Sequence, residues 1–155
     1  MPPVQTTVTN FQPAGAPGML YDNAQNDIVT CIATEAIPFG ADVVINGTTC
    51  SLPAAAGDVT GKNNGVALMT QSLATGIGYA AGMPVPVLRA GRVWVTTEDA
   101  AAAGAAVNVR YTVAVNGKGA FAGAAVASNT AVHQSAKFFL GNTAAGLAVV
   151  QIDAV

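Results

Sequence analysis

Short runs of β-branched residues, separated by turn residues, recur along most of this chain. The runs at 28–33 and 42–45 are typical, and Asn46-Gly47 directly after the second run predicts a tight hairpin turn. Because such residues favour strands and the frequent Gly and Asn turns keep the strands short, the pattern predicts an all-β domain. We expect a small barrel or a jelly-roll-like sandwich.

A recurring local pattern, Gly-x-x-Val-x-(Val/Ile), begins at Gly40, Gly82 and Gly104. Each copy predicts a glycine turn that leads into a strand whose alternate aliphatic residues face a core. The intervals between the copies differ, so they do not indicate a solenoid. In the second copy Pro84 and Pro86 stand two residues apart, and proline in sheets is confined to edges, strand starts and bulges. We therefore expect an edge there.

One stretch departs from the β pattern and predicts a short helix near 97–103. Thr97 can cap a first turn, and Glu98 and Asp99 suit the positive end of a helix dipole. The alanines that follow favour a helix, and Gly104 is a good terminator just past its end.

The first 27 residues differ from the rest of the chain. They are rich in proline and glycine and lack periodicity, which predicts an extended N-terminal arm over 1–27 and a single β domain over 28–155. The arm carries Phe11, Met19 and Tyr21, whose apolar side chains need a surface to cover them. That surface belongs either to the chain's own domain or to a neighbour.

The composition favours a protein that works in an assembly. The chain is 52% hydrophobic and only 9% charged, against about 25% charged in ordinary globular proteins, and its net charge is −2. A large exposed apolar surface usually marks an interaction site, although a neutral monomer with mostly small apolar residues is the alternative. The weak charge argues against nucleic acid and an anionic membrane as partners, and no apolar run approaches the ~18 residues of a membrane span.

Residues suited to catalysis or metal binding are sparse. The single histidine, His133, lies in a polar context without a motif, so we expect a surface or interface imidazole rather than a general base. Together with Cys31 and Cys50 it cannot complete a four-ligand zinc site within one chain. We expect the two cysteines to be free buried thiols rather than a disulfide, as in a chain made in the cytosol. We expect no catalytic residue, no cofactor and no metal.

Arg92 and Trp94 alternate along one predicted strand and therefore share a face. Trp94 has several interpretations: a core residue, an anchor of a protein interface, or a platform that stacks on a nucleic-acid base. Because Trp, Tyr and Arg dominate interface hot spots, the candidate interface residues are Phe11, Met19, Tyr21, Arg92 and Trp94.

Several segments together resemble the structural cement (capsid decoration) proteins of tailed phages. The strongest are Ala36-Ile-Pro-Phe-Gly-Ala41, Gly91-Arg-Val-Trp-Val95 and the alanine-rich stretch that ends at Val107, and the resemblance covers most of 15–152. It implies a β-barrel or jelly-roll-like domain, no catalytic residues, and homotrimers or homodimers seated on the major capsid protein lattice.

The function expected from this resemblance is a virion protein, made in the host cytoplasm, that decorates and cements the outer capsid surface. The alternative is a carbohydrate- or cell-binding β-module, such as a fibre or adhesin domain, in which Trp94 or Tyr79 would be an exposed sugar platform.

Overall fold

The computed structural model describes residues 15–23, 25–61, 63–70, 77–113 and 117–153. These ranges contain β1 (Asp27–Ala33), β2 (Ile37–Pro38), β3 (Asp42–Asn46), β4 (Thr49–Ser51), α1 (Ala56–Thr60), β5 (Asn64–Ala67), β6 (Gly78–Tyr79), β7 (Pro84–Thr97), β8 (Ala106–Arg110), β9 (Phe121–Ala122), β10 (Thr130–Leu140) and β11 (Gly146–Ile152). The all-β prediction is confirmed, and of the two architectures it left open the structure has the barrel.

The first ring of strands is a closed five-stranded barrel with the order β1-β4-β3-β5-β7, completed by the pairing of β1 with β7. Most neighbours are antiparallel, but β1 and β4 run parallel and share only two register pairs, Ile32 with Thr49 and Ala33 with Cys50. The hairpin predicted around Asn46-Gly47 is the β3–β4 pair. The parallel β1–β4 seam is thus a short closure of this barrel.

The second ring of strands uses the other half of β7. Its order is β7-β11-β10-β8-β9, and it returns to β7 through a single parallel pair, Thr97 with Phe121. The long strand β7 therefore belongs to both rings. Its first half pairs with β1 and β5, and its second half pairs with β11.

The two halves of β7 pack in different cores. Val85 and Val87 pack in the core of the barrel, whereas Val93 and Val95 pack in the core of the second ring. Gly91 has φ of 131°, in the region that favours glycine, and the register with β1 shifts nearby. One continuous strand therefore supplies both cores.

The two cores are built mainly from alternate residues of the strands. The barrel core consists of Cys31, Ala33, Ile37, Ala41, Val43, Cys50, Ala67, Tyr79, Val85 and Val87. The second core consists of Val59, Val66, Leu68, Leu88, Val93, Val95, Ala101, Val107, Val109, Phe121, Ala136, Phe138, Ala148, Val150 and Ile152. Fully burying one such aliphatic side chain contributes about 1.5–3 kcal/mol, so each ring has its own substantial source of stability.

The proline-bracketed start of β7 has a full neighbour on one side only. There Pro84 lies opposite Ile32 and Pro86 lies opposite Thr30 of β1. On the other side the pairing with β5 covers only Val87 and Leu88, and the Pro86 carbonyl accepts a hydrogen bond from Leu68 N. Proline has no N–H to donate, so it is tolerated at this start of β7, where the neighbouring strand β5 has already ended.

The predicted helix near 97–103 is wrong. Thr97 is the last residue of β7, and in the described part of the chain the helix is α1, at Ala56–Thr60. The residues expected to start the helix have other partners, since Glu98 is paired with Arg110 and the Asp99 carboxylate accepts hydrogen bonds from the backbone of residues 123 and 124. No helix within the described ranges is long and apolar enough to cross a bilayer.

His133 is not the surface or interface imidazole that the sequence suggested. It lies within β10, is 3% exposed, and its Nε2 is 3.5 Å from Oδ1 of the fully buried Asp42 on β3. Ser135 N donates to His133 Nδ1, so Nε2 is the ring nitrogen that faces the carboxylate. Asn64 of β5 donates to the other Asp42 oxygen, so a buried polar cluster joins the two rings.

Candidate interaction surface

Part of the predicted N-terminal arm runs beside the second half of β7. Gly18 N donates to Trp94 O, Trp94 N donates to Met19 O and Tyr21 N donates to Arg92 O, at distances of 2.8–2.9 Å. This segment occupies the side of β7 that faces away from β11. The pairing fixes where the Met19 and Tyr21 side chains lie.

Four side chains then come together beside this segment, and we call them the aromatic cluster: Tyr21, Arg92, Trp94 and Phe139. The Tyr21 ring lies 5.7 Å from the Trp94 ring and 5.5 Å from the Phe139 ring, both in tilted arrangements. The Arg92 guanidinium lies 3.9 Å from the Phe139 ring centroid. These separations are those of favourable aromatic and cation–π contacts.

Trp94 is the buried floor of this cluster. Its side chain is covered by Tyr21 and by Gly15, whose backbone lies so close to the indole that a Cβ there would overlap the ring. Trp94 is 8% exposed and Tyr79 is 3% exposed. Neither ring is therefore the exposed sugar platform that the carbohydrate-binding alternative needed.

The exposed part of the aromatic cluster is apolar, and its one charged side chain, Arg92, is paired with a carboxylate. Tyr21 is 39% exposed and Met19, the next side chain but one on the segment, is 42% exposed. Arg92 donates to Asp22 at 2.9 Å and to Gln151 at 3.0 Å. A partner on this surface would contact aromatic and thioether groups. The Arg92 side chain is already fixed by its hydrogen bonds within the chain.

Charge is neutralised within the chain elsewhere too. Each of the three arginines has a carboxylate partner: Arg92 has Asp22, Arg89 has Asp27 at 3.9 Å, and Arg110 has Glu98 at 2.6 Å. The Arg110–Glu98 pair is nearly fully buried, and Glu98 raises the pKa of Arg110 further through hydrogen bonding.

Of the interface residues predicted from sequence, the structure brings Tyr21, Arg92 and Trp94 into contact and places Met19 beside them. Phe11 lies outside the described residues. That this surface binds a partner remains a prediction.

Sequence reasoning missed Phe139, although a signal was present. Phe138 and Phe139 are neighbours in a strand, so their side chains point to opposite faces. Phe138 is buried in the second core and Phe139 is only partly buried, on the side of the cluster.

A metal site is not formed in the described part of the chain, where no three His, Cys, Asp or Glu side chains are grouped suitably. The buried Asp42–His133 pair is closed to solvent, and burial raises the pKa of Asp42, opposed by hydrogen bonding and charge from His133. Its position suits a structural connection between the rings rather than a reaction on a substrate.

The fold and surface are those of a nearly all-β chain with two rings of strands, arginines paired to carboxylates and a partly exposed aromatic cluster. A sequence model described as structural cement protein (E217 gp24/Pam3 gp6) matches residues 4–153, nearly the whole chain. The chain belongs to this family of structural cement proteins.

Comparison with solved structures gives the same fold. A chain from a structure titled "The capsid of Myoviridae Phage XM1" superposes with a TM-score of 0.71 at 16% sequence identity, covering 99% of this chain and 98% of that chain. At this identity the likeness concerns the fold. No curated protein matches the sequence.

Proposed function

We propose that this chain is a virion protein that sits on the outer surface of a phage capsid and cements the lattice of the major capsid protein. Membership of the structural cement protein family carries the proposal. The likeness of its fold to a chain of a phage capsid structure supports it. In this role the chain binds capsid proteins and catalyses no reaction.

The surface proposed to meet the capsid is the aromatic cluster together with Met19. It combines exposed aromatic area with a fixed arginine, and residues of these kinds dominate the energy of protein interfaces. Arg92 is held by Asp22 and Gln151, so little side-chain freedom is lost when a partner covers it.

Low charge predicts how the contact responds to salt. Ionic screening acts on charges, and the arginines are paired within the chain. Capsid binding by this surface should therefore change little between about 0.05 and about 0.5 M salt. Binding only to the assembled shell stabilises that shell by mass action.

Sedimentation of purified chain with matched capsids that lack it tests the proposal. We expect the wild-type chain to cosediment, and Tyr21→Ser and Phe139→Ser to weaken binding by tenfold or more each, which corresponds to about 1.4 kcal/mol. Val126→Ser is the matched control, since Val126 is also 39% exposed and lies outside the aromatic cluster. Failure of the folded wild-type chain to bind the capsids would refute the function.

The N-terminal arm is proposed to add contact area to this surface. Removing residues 2–14, which precede the described segment, should leave the melting temperature almost unchanged and weaken cosedimentation, and Phe11→Ser should reproduce part of that loss. An unfolded truncated chain would mean instead that these residues belong to the domain.

Self-association into trimers or dimers is a further part of the proposal, and the mass of the chain in solution tests it. A purely monomeric chain at all concentrations, free and on capsids, would refute it.

A further inference from the structure

The two cysteines meet inside the barrel at its parallel seam. Cys50 of β4 lies opposite Ala33 of β1, and Cys31 is two residues earlier on the same inward face of β1. Both are free thiols, 2% and 0% exposed, and both belong to the core of the barrel. Two inward-facing thiols on neighbouring strands can form a disulfide when their side chains reach each other across this offset of two residues.

One of the two thiols borders a cavity. A space of about 240 Å³ beside the barrel is lined in part by Cys31, Ile45, Asn63 and Arg89. Cys50 is not part of this lining. A small reagent that enters the cavity therefore comes next to Cys31 and not to Cys50.

The surroundings of the two sulfurs also make Cys31 the easier one to deprotonate. Burial, with a smaller contribution from the neighbouring Cys31, raises the pKa of Cys50 to about 11. Burial also raises the pKa of Cys31, but a hydrogen bond from Cys50 and the charge of Arg89 oppose that rise. Cys31 is thus the easier of the two to convert into the reactive thiolate.

We propose that Cys31 and Cys50 form an oxidation-sensitive pair in which a hydroperoxide oxidises Cys31 and Cys50 then closes a disulfide across the β1–β4 seam. The Cys31 thiolate attacks the O–O bond of hydrogen peroxide, takes up one oxygen as a sulfenic acid, and the other oxygen leaves as water after protonation. The Cys50 sulfur then attacks the Cys31 sulfur and expels the second oxygen as water. Two thiols and one peroxide give one disulfide and two waters.

The disulfide would add a covalent link where the barrel closure is short. The β1–β4 seam has only two register pairs, as few as any pairing in the first ring, so a bond between these strands restrains a short closure. The link also restricts the unfolded chain between the two cysteines, which raises the melting temperature by roughly 5–10 °C for a loop of this size.

The experiment exposes the folded wild-type chain to hydrogen peroxide, blocks remaining thiols with N-ethylmaleimide in denaturant, and measures the intact mass. We expect the loss of two hydrogen atoms and of both maleimide adducts, with a Cys31–Cys50 linked peptide after digestion. Cys50→Ser should accumulate a dimedone-reactive sulfenic acid at Cys31, and Cys31→Ser should react several-fold more slowly at Cys50.

Arg89→Gln provides a matched variant that leaves both sulfurs in place. It should slow disulfide formation several-fold, and Arg89→Lys should restore much of the rate. Retention of both free thiols in folded wild-type chain after peroxide treatment would overturn the proposal. Disulfides found only between different chains would overturn it as well, and this wild-type measurement does not depend on how the serine variants fold.

Discussion

Gly15 lies directly against the indole ring of Trp94, with no room for a Cβ between them. This contact, together with the hydrogen bonds of Gly18 and Met19 to Trp94, holds the N-terminal segment beside β7. The surface around Tyr21 thus depends on a glycine that itself presents no side chain.

Replacing Gly15 with alanine should loosen this segment. The added methyl group overlaps the indole, and overpacking of this kind costs about 1–3 kcal/mol. The chain contains a single tryptophan, so tryptophan fluorescence reports on the surroundings of Trp94. We expect a red-shifted emission, easier quenching by acrylamide, and a lower urea midpoint.

Gly57→Ala is the control for that experiment. No heavy atom lies within 4 Å of the position of its Cβ, and it stands in α1, where alanine is favoured over glycine by about 1 kcal/mol. Its stability should be equal to or above that of wild type, with unchanged fluorescence. Equal behaviour of the two variants would contradict the role given to Gly15.

The buried pair of Arg110 and Glu98 should be costly to break on one side only. Arg110→Met leaves the Glu98 carboxylate without its partner in a nearly dry environment, which costs about 3–5 kcal/mol. The double variant Glu98→Leu/Arg110→Met removes both charges and should recover most of that loss. Urea unfolding of the single and double variants measures the coupling, and additive losses would contradict it.

The buried carboxyl of Asp42 predicts a specific pH dependence. Burial raises its pKa above the ordinary value of 3.8. In the pH range between the ordinary and the raised pKa, the folded chain binds more protons than the unfolded chain, so this group's contribution to the free energy of unfolding falls as the pH rises. The loss is about 1.4 kcal/mol for each unit of upward shift.

Asp42→Asn removes this titration and provides the comparison. The free energy of unfolding of the variant minus that of wild type should increase from pH 4 upward and then level off. Thermal or urea unfolding at several pH values measures the difference. A constant difference, or one that decreases with pH, would show that Asp42 has an ordinary or lowered pKa.

Helix α1 should depend on Asp58. Its carboxylate accepts hydrogen bonds from Ala54 N at 2.8 Å and Ala55 N at 3.0 Å, just before the helix, and Val59 of the same helix is fully buried in the second core. Asp58→Ala should lower the free energy of unfolding by about 0.5–2 kcal/mol. Asp58→Asn, which keeps an acceptor oxygen, should lose less, and no loss in either variant would show that packing alone holds the helix.

Local sequence patterns were reliable where local geometry decides the structure. Gly40, Gly82 and Gly104, the starts of the three Gly-x-x-Val copies, all have φ between 74° and 85°, and a strand begins two residues after each. Backbone of this kind favours glycine whatever its tertiary surroundings. The turns and strand starts could therefore be predicted without the fold.

The same patterns failed where partners distant in sequence decide the structure. Thr97, Glu98 and Asp99 have the composition of a helix start, but in the fold they bond to Arg110, Asn142 and the backbone of residues 123 and 124. The location of His133 beside Asp42 likewise depends on how β10 lies against β3. Neither arrangement follows from residues close in sequence.

The aromatic cluster was predictable in part. Tyr21, Arg92 and Trp94 were identified by residue type, and their contact with one another is observed. The contribution of Phe139 depends on the register between β10 and β11, which shifts between Phe138 and Leu140. A shift in register is set by packing across the sheet and leaves little trace in the strand's own sequence.

Because β7 is shared, a pulling force applied to one ring passes into the other along a continuous covalent backbone. Tension along β7 acts in shear on its ladders with β1 and β11, so many hydrogen bonds carry the load together instead of opening one after another. If the two rings were joined by a loose linker, each would take the strain alone. A protein in which two rings of strands share one strand gains tensile strength without any increase in size.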